Sequence, residues 1–337
     1  MIYPKFLDSG STIGIMAPSD GIKKEIDYIR LDNGIEQLKK RGYKIIESSR
    51  VRQSNQGRSG SVAQRIQDLE GLYQKGEVDL IIAAKGGNFL MELLPEIDFD
   101  MIKNNPKWFQ GFSDNTNLNF TITTNLNMAT VYGCNFKDFG MEKWHEALVN
   151  NIDILSGKEI IQTSFSYYED KYYDYITGLD GYVEGRPVHW RNITEKLGDT
   201  MTGRMLGGCL DVLISLAGTK YDKTVEFVSR YEKEGILWHL ESYGLNSADL
   251  SIGLWQLKEA GWFKHVKGFV FGRPAFFEEE MGITYDEAVL SVLGELQVPI
   301  FMDGDIGHKA PQFTVINGSL GTVTCKEGRG SLKQELI

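Results

Sequence analysis

Short apolar runs alternate with amphipathic stretches over the first half of the chain. The apolar runs have strand length and end in turn residues; they are "STIGIM", "YKIIESS", "VDLIIAAKGG" and "KWFQGF". Apolar residues recur at helical spacing in "KKEIDYIRLDNGIEQLKKRG", which Gly42 is predicted to end, in "SVAQRIQDLEGLYQKGE" and in "NFLMELLPEI". A further helix is predicted after Ser113. This alternation predicts an α/β domain with a mostly parallel sheet.

The pattern changes after about residue 160. The stretch "FSYYEDKYYDYITGLDGYVEGRPVHW" is rich in tyrosine, glycine and charge and has little helical period, which indicates a connecting segment or an extended insertion. Beyond it, short apolar strands again mix with helices, and the strand-like "FTVINGSLGTVTC" lies near the end. We therefore predict an N-terminal α/β domain over residues 1–163, a connecting segment or lid over 164–200, and a C-terminal domain over 201–337.

Composition and charge narrow the class of protein. The 337 residues carry a formal net charge of −10, which argues against a nucleic-acid partner or an anionic membrane surface. The sequence shows no signal-peptide pattern and no apolar stretch of the roughly 18 residues that a membrane helix needs. The 3 cysteines are too few for a disulfide framework. A cytoplasmic location is the expectation.

Ser113 stands between an apolar strand and a helix in "GFSDN". A nucleophilic serine needs a tight strand-to-helix turn that exposes its oxygen, and the next backbone N–H can then stabilise an oxyanion. Ser113 or Asp114 could instead simply cap the helix, and the second glycine of G-x-S-x-G is missing. On the residues alone, both interpretations stay open.

A second turn with possible chemistry is "KGGN", residues 85–88, which also lies between a strand and a helix. Its glycines would let backbone N–H groups approach an anion or a developing oxyanion. The alternative is a plain tight turn. The pattern is not G-x-G-x-x-G, so a dinucleotide site is not indicated.

A base and an acid are available in the second half. His308 follows an apolar strand in the glycine-containing loop "DGDIGHKAP", where catalytic groups are commonly presented. Glu241 ends the apolar run "GILWHLE", so it would emerge at the carboxyl end of a strand. No His, Cys or acidic pairs occur at metal-ligand spacing, and Cys209 in "LGGCLDVL" is expected to pack as a small hydrophobe at the start of a helix. No metal and no cofactor is predicted.

Together and in order, several motifs resemble those of the LD-carboxypeptidase family of serine peptidases. That family includes the microcin C self-immunity peptidases, and the resemblance is closer to that branch. The resemblance runs from about Ile13 to Gly318 and rests on "IMAPS", "AAKGGNFLMELLP", "GFSDNTNL", "GRMLGGCLDVL", "ILWHLES", "VKGFVFGRP" and "DGDIGH". It implies an N-terminal α/β domain, a smaller C-terminal domain of mixed strands, an active site in the cleft between them, and a homodimer.

The resemblance also implies roles for individual residues. It implies a triad with Ser113 as nucleophile, Glu241 as acid and His308 as base. The backbone N–H groups of Asp114 and Gly87 would be the oxyanion donors. Apart from the resemblance, we expect Gly86, Asn88 and Trp190 to be substrate-binding residues.

Departures from the family pattern leave the substrate open. Lys85 stands where the family usually has arginine, Asn88 where an aromatic residue is usual, and Cys209 where asparagine is usual. The substrate could be a murein tetrapeptide or an aminoacyl-nucleotide amide, and a non-catalytic small-ligand binding protein is a third possibility. Trp190 could form a lid that stacks on a nucleobase, or it could pack in an interdomain core.

Overall fold

The computed structural model describes all 337 residues, and the chain divides into two units of similar length. The first unit contains Met1–Ile160 and Tyr173–Tyr182. The second contains Ile161–Tyr172 and Val183–Ile337. The tyrosine-rich stretch after residue 160 is therefore shared between the two units.

The first unit has the parallel sheet that the sequence predicted. The first unit contributes five strands to this sheet: β1 Thr12–Met16, β2 Lys44–Glu47, β3 Val78–Ala83, β4 Trp108–Gly111 and β5 Thr130–Tyr132. These five lie in the order β5-β4-β3-β1-β2, and every neighbouring pair among them is parallel. The helices are α1 Glu25–Lys40, α2 Val62–Gln74, α3 Phe99–Asn104, α4 Thr116–Leu126 and α5 Glu146–Leu155.

Local sequence explains how these helices begin and end. Gly42 has a φ of +93°, which favours glycine, and it lies two residues beyond the end of α1 as predicted. Ser61 begins α2 with a capping box to Gln64. The predicted helix "NFLMELLPEI" is instead a 3-10 helix, Leu90–Glu96. Pro95 lies inside it and lacks the N–H that a continuing α-helix would use, which accounts for the difference.

The second unit contains a mixed sheet of eight strands in the order β6-β16-β15-β10-β11-β12-β13-β9. Strands β10 to β13 are parallel, and the flanking strands are antiparallel. The strands of this unit are β6 Gln162–Thr163, β7 Tyr167–Tyr168, β8 Arg186–Pro187, β9 Arg191–Asn192, β10 Thr200–Cys209, β11 Ile236–Glu241, β12 Val266–Gly272, β13 Ile300–Gly304, β14 Val315–Asn317, β15 Leu320–Lys326 and β16 Arg329–Glu335. The helices are α6 Leu210–Leu216, α7 Thr224–Arg230, α8 Ser247–Glu259 and α9 Tyr285–Leu293.

The α/β fold class is therefore confirmed: a parallel sheet in the first unit and a separate mixed sheet in the second. Short 3-10 turns complete the chain at Ser113–Asn115, Phe136–Gly140, Glu195–Leu197 and Gly294–Leu296. None of the helices combines the length and the apolar composition that crossing a bilayer requires. In each sheet the carboxyl ends of parallel strands carry the polar residues of interest, as is usual in α/β proteins.

Candidate active site

Ser113 lies on a sharp turn between β4 and α4, where the sequence predicted it. The residue has a φ of +66°, which L-residues adopt at a cost of roughly 1–2 kcal/mol. Its side chain is half-buried, and the 3-10 turn that starts at Ser113 runs directly into the helix. Strain of this kind at a serine between a strand and a helix is typical of an exposed nucleophile.

Gly86 lies directly against Ser113. A Cβ atom at position 86 would be 3.0 Å from both Cβ and Oγ of Ser113, and 3.7 Å from the backbone nitrogen of Asp114. Gly87 faces another direction, since a Cβ there would overlap the side chain of Ser19. The N–H groups of Asp114 and Gly87 stay predictions as oxyanion donors. Gly86 is the glycine whose missing side chain leaves room at Ser113.

The carboxylate of Asp114 ties the turn to its surroundings. It accepts hydrogen bonds from the hydroxyl of Ser19, from the backbone nitrogen of Leu90 at 2.9 Å, and from Nδ2 of Asn117 at 2.9 Å. Burial raises the pKa of this carboxyl, and the hydrogen bonds oppose that rise. Ser19 was missed as a site residue, although it belongs to the quoted motif "IMAPS".

Asn115 holds the turn from the other side. Its Nδ2 donates to the carbonyl oxygens of Lys85 at 3.2 Å and Phe112 at 3.0 Å, and to Oδ1 of Asn135 at 3.1 Å. A Cβ at Gly111 would lie 2.9 Å from the Cβ of Asn115, so only glycine fits two positions before the serine. These bonds link the loop after β3 to the turn after β4.

The side chains that flank the glycine pair differ in their surroundings. Lys85 forms an ion pair with Asp20, with 2.6 Å between Nζ and Oδ2, and the backbone nitrogen of Gly21 donates to the other carboxylate oxygen at 2.9 Å. Asn88 is exposed to solvent. Lys85 therefore orders the loop after β1, while Asn88 is accessible to a ligand.

Glu241 and His308 meet within the second unit. The Nδ1 atom of His308 lies 2.8 Å from Oε2 of Glu241, and the carboxylate side chain is fully buried. Glu241 is the last residue of β11, as the sequence predicted, and His308 lies in the loop that follows β13. A buried carboxylate in this position fixes the imidazole's orientation and stabilises its protonated form.

Two glycines make room for the buried carboxylate. A Cβ at Gly307 would lie 2.6 Å from Cδ of Glu241, and the φ of Gly307 is +91°. A Cβ at Gly272 would lie 3.0 Å from the Cβ of Glu241. A larger residue at position 307 would displace Glu241, and one at position 272 would first overlap the carbonyl oxygen of Ile306, at 2.1 Å.

An exposed aromatic cluster, made of Tyr172, Tyr243 and Phe276, lies beside His308. The ring centroid of Tyr243 is 4.8 Å from that of His308, and Tyr243 meets Phe276 edge-on at 5.2 Å. Tyr172 stacks on Phe276 with 5.3 Å between centroids. The three rings are 51%, 44% and 52% exposed, in the order Tyr172, Tyr243, Phe276. Sequence analysis missed this cluster, because its members are far apart along the chain.

Cys209 also belongs to this part of the second unit. It is the last residue of β10, one position before the predicted helix begins, and it pairs in register with Glu241 on the neighbouring strand. Burial raises the pKa of the Cys209 thiol, and the charges of Glu241 and Asp211 raise it further. Potential metal-ligand atoms of Cys209, Glu241 and His308 all lie within 4.8 Å of one another. The spacing of these residues in the sequence gave no sign of this cluster.

Trp190 is an interior residue of the second unit. It is 2% exposed, its Nε1 donates to Oδ2 of Asp305 at 2.9 Å, and its ring centroid lies 5.8 Å from that of Phe313. This burial favours core packing over the lid, the two interpretations that the sequence left open for Trp190. Its place among the substrate-binding residues stays a prediction.

Comparison with known families agrees with the motifs. Residues 13–133 match the profile of the LD-carboxypeptidase N-terminal domain, and residues 202–323 match that of the LD-carboxypeptidase C-terminal domain. The chain belongs to the LD-carboxypeptidase family. The family members are peptidases, and the two matched ranges contain Ser113, Glu241 and His308.

The individual relatives include proteins named for murein peptides and for microcin immunity. A Vibrio cholerae protein named as a carboxypeptidase is 27% identical over 96% of this chain and 95% of its own. A Bacillus subtilis protein named as a murein peptide carboxypeptidase is 24% identical over 96% of this chain and 92% of its own. The microcin C7 self-immunity protein MccF of Escherichia coli is 25% identical over 91% of this chain and 88% of its own.

Solved structures share the fold. An MccF-like protein from Bacillus anthracis superposes with a TM-score of 0.81 at 24% identity, with 100% of both chains covered. The muramoyltetrapeptide carboxypeptidase of Oxalobacter formigenes gives 0.74 at 20% identity, covering 97% of this chain and 99% of its own. MccF itself has been solved with aspartyl sulfamoyl adenosine and, as a mutant, with adenosine monophosphate. At these identities the likeness shows the fold alone.

Proposed function

We propose that this protein is a serine-type peptidase that hydrolyses an amide bond near a free carboxylate end. Ser113 is the nucleophile, His308 the general base, and Glu241 the residue that orients the imidazole. The observation that carries the proposal is the 2.8 Å contact between His308 Nδ1 and the buried Glu241 carboxylate. The strained backbone of Ser113 supports it independently.

The proposed reaction proceeds through an acyl-enzyme. His308 removes the hydroxyl proton of Ser113 as the oxygen attacks the scissile carbonyl, and the Glu241 carboxylate stabilises the resulting imidazolium. Backbone N–H groups near Gly86 stabilise the tetrahedral oxyanion, each contributing about 2.7–4 kcal/mol in comparable enzymes. The imidazolium then protonates the leaving amine. Water attacks the ester by the same sequence of proton transfers and releases the acid.

A murein tetrapeptide is the first substrate candidate. The family is that of LD-carboxypeptidases, and the Bacillus subtilis relative is named for murein peptides. The bond cleaved would join an L- to a D-residue next to the terminal carboxylate. This carboxylate needs a cationic or N–H-rich partner in the site.

An aminoacyl-nucleotide amide is the second candidate, and the aromatic cluster favours it. Tyr172, Tyr243 and Phe276 are about half exposed beside His308, and a nucleobase can stack on aromatic rings for roughly 1–3 kcal/mol. The MccF complexes with adenosine derivatives make this substrate class a reasonable one to test. A murein peptide has no planar base to use these rings.

The test is mass spectrometry of a murein tetrapeptide and of an aminoacyl sulfamoyl adenosine after incubation with the protein. We expect cleavage of at least one, none by Ser113→Ala, and a fluorophosphonate adduct on Ser113. An adduct on another serine, or full activity in Ser113→Ala, would place the nucleophile elsewhere. Tight binding of either compound without turnover or adduct would instead support the non-catalytic binding protein.

A further inference from the structure

Three side chains of types that can bind metals, Cys209, Glu241 and His308, converge near the carboxyl ends of parallel strands in the second unit. Cys209 ends β10, Glu241 ends the adjacent β11, and His308 follows β13. Their ligand atoms all lie within 4.8 Å of one another, and the side chain of Glu241 is fully buried. The proposed peptide chemistry uses Glu241 and His308 but gives the thiol of Cys209 no task.

We propose that Cys209, Glu241 and His308 form a binding site for a thiophilic divalent cation, with Zn²⁺ as its representative, and that the bound cation inhibits the enzyme. Thiolate, imidazole and carboxylate are the ligand types that zinc takes in proteins. Magnesium and calcium prefer oxygen-only ligand sets and should not compete. The fourth position stays open to water.

The three ligand atoms need to move only a little to reach the spacing of a tetrahedral zinc site. Zinc–ligand bonds of about 2.0–2.3 Å in a tetrahedron place ligand atoms roughly 3.3–3.8 Å apart. The largest separation between the present ligand atoms, which is at most 4.8 Å, would therefore shorten by about 1–1.5 Å. The 2.8 Å contact between His308 and Glu241 opens slightly.

Charge and proton balance favour a neutral centre. Binding breaks the S–H bond of Cys209, forms a zinc–sulfur bond and releases one proton to solvent. The imidazole stays neutral and keeps its proton on the nitrogen that does not bind the metal. One thiolate and one carboxylate then neutralise the two positive charges, which lowers the cost of holding a cation among buried groups. The thiol, which now lies 3.6 Å from Oδ2 of Asp211, would lose that weak hydrogen bond.

The bound cation would inhibit the enzyme because two of its ligands, His308 and Glu241, are residues of the proposed triad. This part of the inference rests on the proposed function. A metal on His308 occupies the base or forces its proton onto the nitrogen that must accept one from Ser113. A metal on Glu241 removes the carboxylate that orients the ring. Both changes stop the first proton transfer, and a chelator that withdraws the metal should restore it.

The binding test uses Co²⁺ as a spectroscopic substitute for Zn²⁺ on the full-length protein. We expect one Co²⁺ per chain, a near-ultraviolet thiolate-to-cobalt charge-transfer band, and displacement of that band by Zn²⁺ but not Mg²⁺. The band should vanish in Cys209→Ser and in Cys209→Ala, and persist in the matched controls Cys134→Ser and Cys325→Ser, whose cysteines are likewise buried and outside any disulfide. Near-ultraviolet circular dichroism checks that each variant is folded. A folded wild type without the band, or a band unaffected by both Cys209 variants, would overturn the site.

The activity test measures the Zn²⁺ concentration that halves the rate, each variant being compared with its own zinc-free rate. We expect EDTA to restore the wild-type rate and Cys209→Ser to raise the half-inhibiting concentration by at least about tenfold. An unchanged concentration in that variant would show that zinc inhibits from another site. If no substrate is cleaved at all while the cobalt band behaves as expected, the proposed function fails and the metal site stands.

Discussion

Gly86 and Ser113 are packed so closely that the space between them excludes a single methyl group. A Cβ at position 86 would lie 3.0 Å from both Cβ and Oγ of the serine. Carbon and oxygen atoms that are not bonded to each other prefer about 3.5–4.0 Å, so one of the two loops would have to move. The position of Ser113 Oγ therefore depends on a glycine in the loop after the neighbouring strand β3.

The first prediction is that Gly86→Ala lowers kcat by about tenfold or more while leaving the protein folded, because small displacements of a nucleophile are costly. Steady-state kinetics and thermal unfolding of the same preparation test this. Gly71→Ala is the matched control, since nothing lies within 4 Å of a Cβ at that helical position. It should stabilise the protein by about 0.5–1 kcal/mol and leave kcat alone. Equal kcat values in both variants would contradict the role of Gly86.

Ser113→Gly should remove activity and raise stability together. Glycine adopts the φ of +66° without the strain that serine experiences, so the free energy of unfolding should increase by about 1 kcal/mol. Loss of the nucleophile should lower kcat by about 10⁵–10⁶-fold. Denaturant unfolding and hydrolysis assays measure the two effects.

The control for that strain is Glu327→Gly. Glu327 is an exposed residue with a φ of +51° in the turn between β15 and β16, so glycine should relieve a similar strain there without changing the rate. A Ser113→Gly variant that is no more stable than wild type, beside a stabilised Glu327→Gly, would show that the turn is not strained.

Glu241→Gln should lower kcat/KM by about 10⁴-fold at neutral pH, because an amide can stabilise the wrong imidazole tautomer and cannot stabilise the imidazolium. Hydrolysis assays over a range of pH measure the loss. Glu234→Gln is the matched control: Glu234 forms an ion pair with Arg204 at 2.9 Å and takes no part in the proposed chemistry. A loss of similar size in both variants would indicate a structural effect and not an orienting role for Glu241.

His239 gives stability a pH dependence of its own. Burial lowers the pKa of His239 to about 4, against a hydrogen bond with Asn317 that raises it. The folded chain therefore keeps His239 neutral where the unfolded chain, with a pKa near 6.5, takes up a proton. Its contribution is complete above about pH 6.5 and is lost progressively as the pH falls towards 4; at pH 5 the loss is about 2 kcal/mol.

His239→Gln should remove this contribution. The wild type should lose about 2 kcal/mol more than the variant between pH 7.5 and pH 5 in denaturant unfolding. Identical pH dependence in the two proteins would mean that His239 is protonated in the folded state as readily as in the unfolded chain.

Local patterns were sufficient for four strands of the first sheet and for parts of the site. Buried parallel strands are nearly continuous apolar runs, so β1 to β4 were visible in the sequence, and Glu241 could be placed at the end of its strand from the run before it. Strand β16 was not predicted, since "RGSLKQE" has only one large buried apolar residue, Leu332.

Contacts between segments that are far apart in the sequence could not be predicted from local patterns. Cys209 joins Glu241 and His308 only because the ends of β10 and β11 are neighbours and the loop after β13 reaches both. Spacing rules for metal ligands detect pairs on one helix or one turn and are silent about such a cluster. The sequence left the packing of Trp190 open for a related reason: its partner Asp305 is more than a hundred residues away.

The aromatic cluster now provides the test of substrate class that Trp190 was expected to provide. Phe276→Ala removes the central ring, which stacks with Tyr172 and meets Tyr243. If the cluster stacks a nucleobase, this variant should lose about tenfold in kcat/KM on an aminoacyl sulfamoyl adenosine and almost nothing on a murein tetrapeptide, a difference of about 1.4 kcal/mol.

Trp190→Phe is the contrasting variant for this last prediction. It removes the hydrogen bond to Asp305 inside the second unit, so it should lower the thermal midpoint and leave the ratio of the two kcat/KM values unchanged. Equal losses of Phe276→Ala on both substrates would mean that the rings position His308 and do not recognise a base. A ratio that moves in Trp190→Phe but not in Phe276→Ala would return the tryptophan to the binding site, through a conformation that exposes its ring.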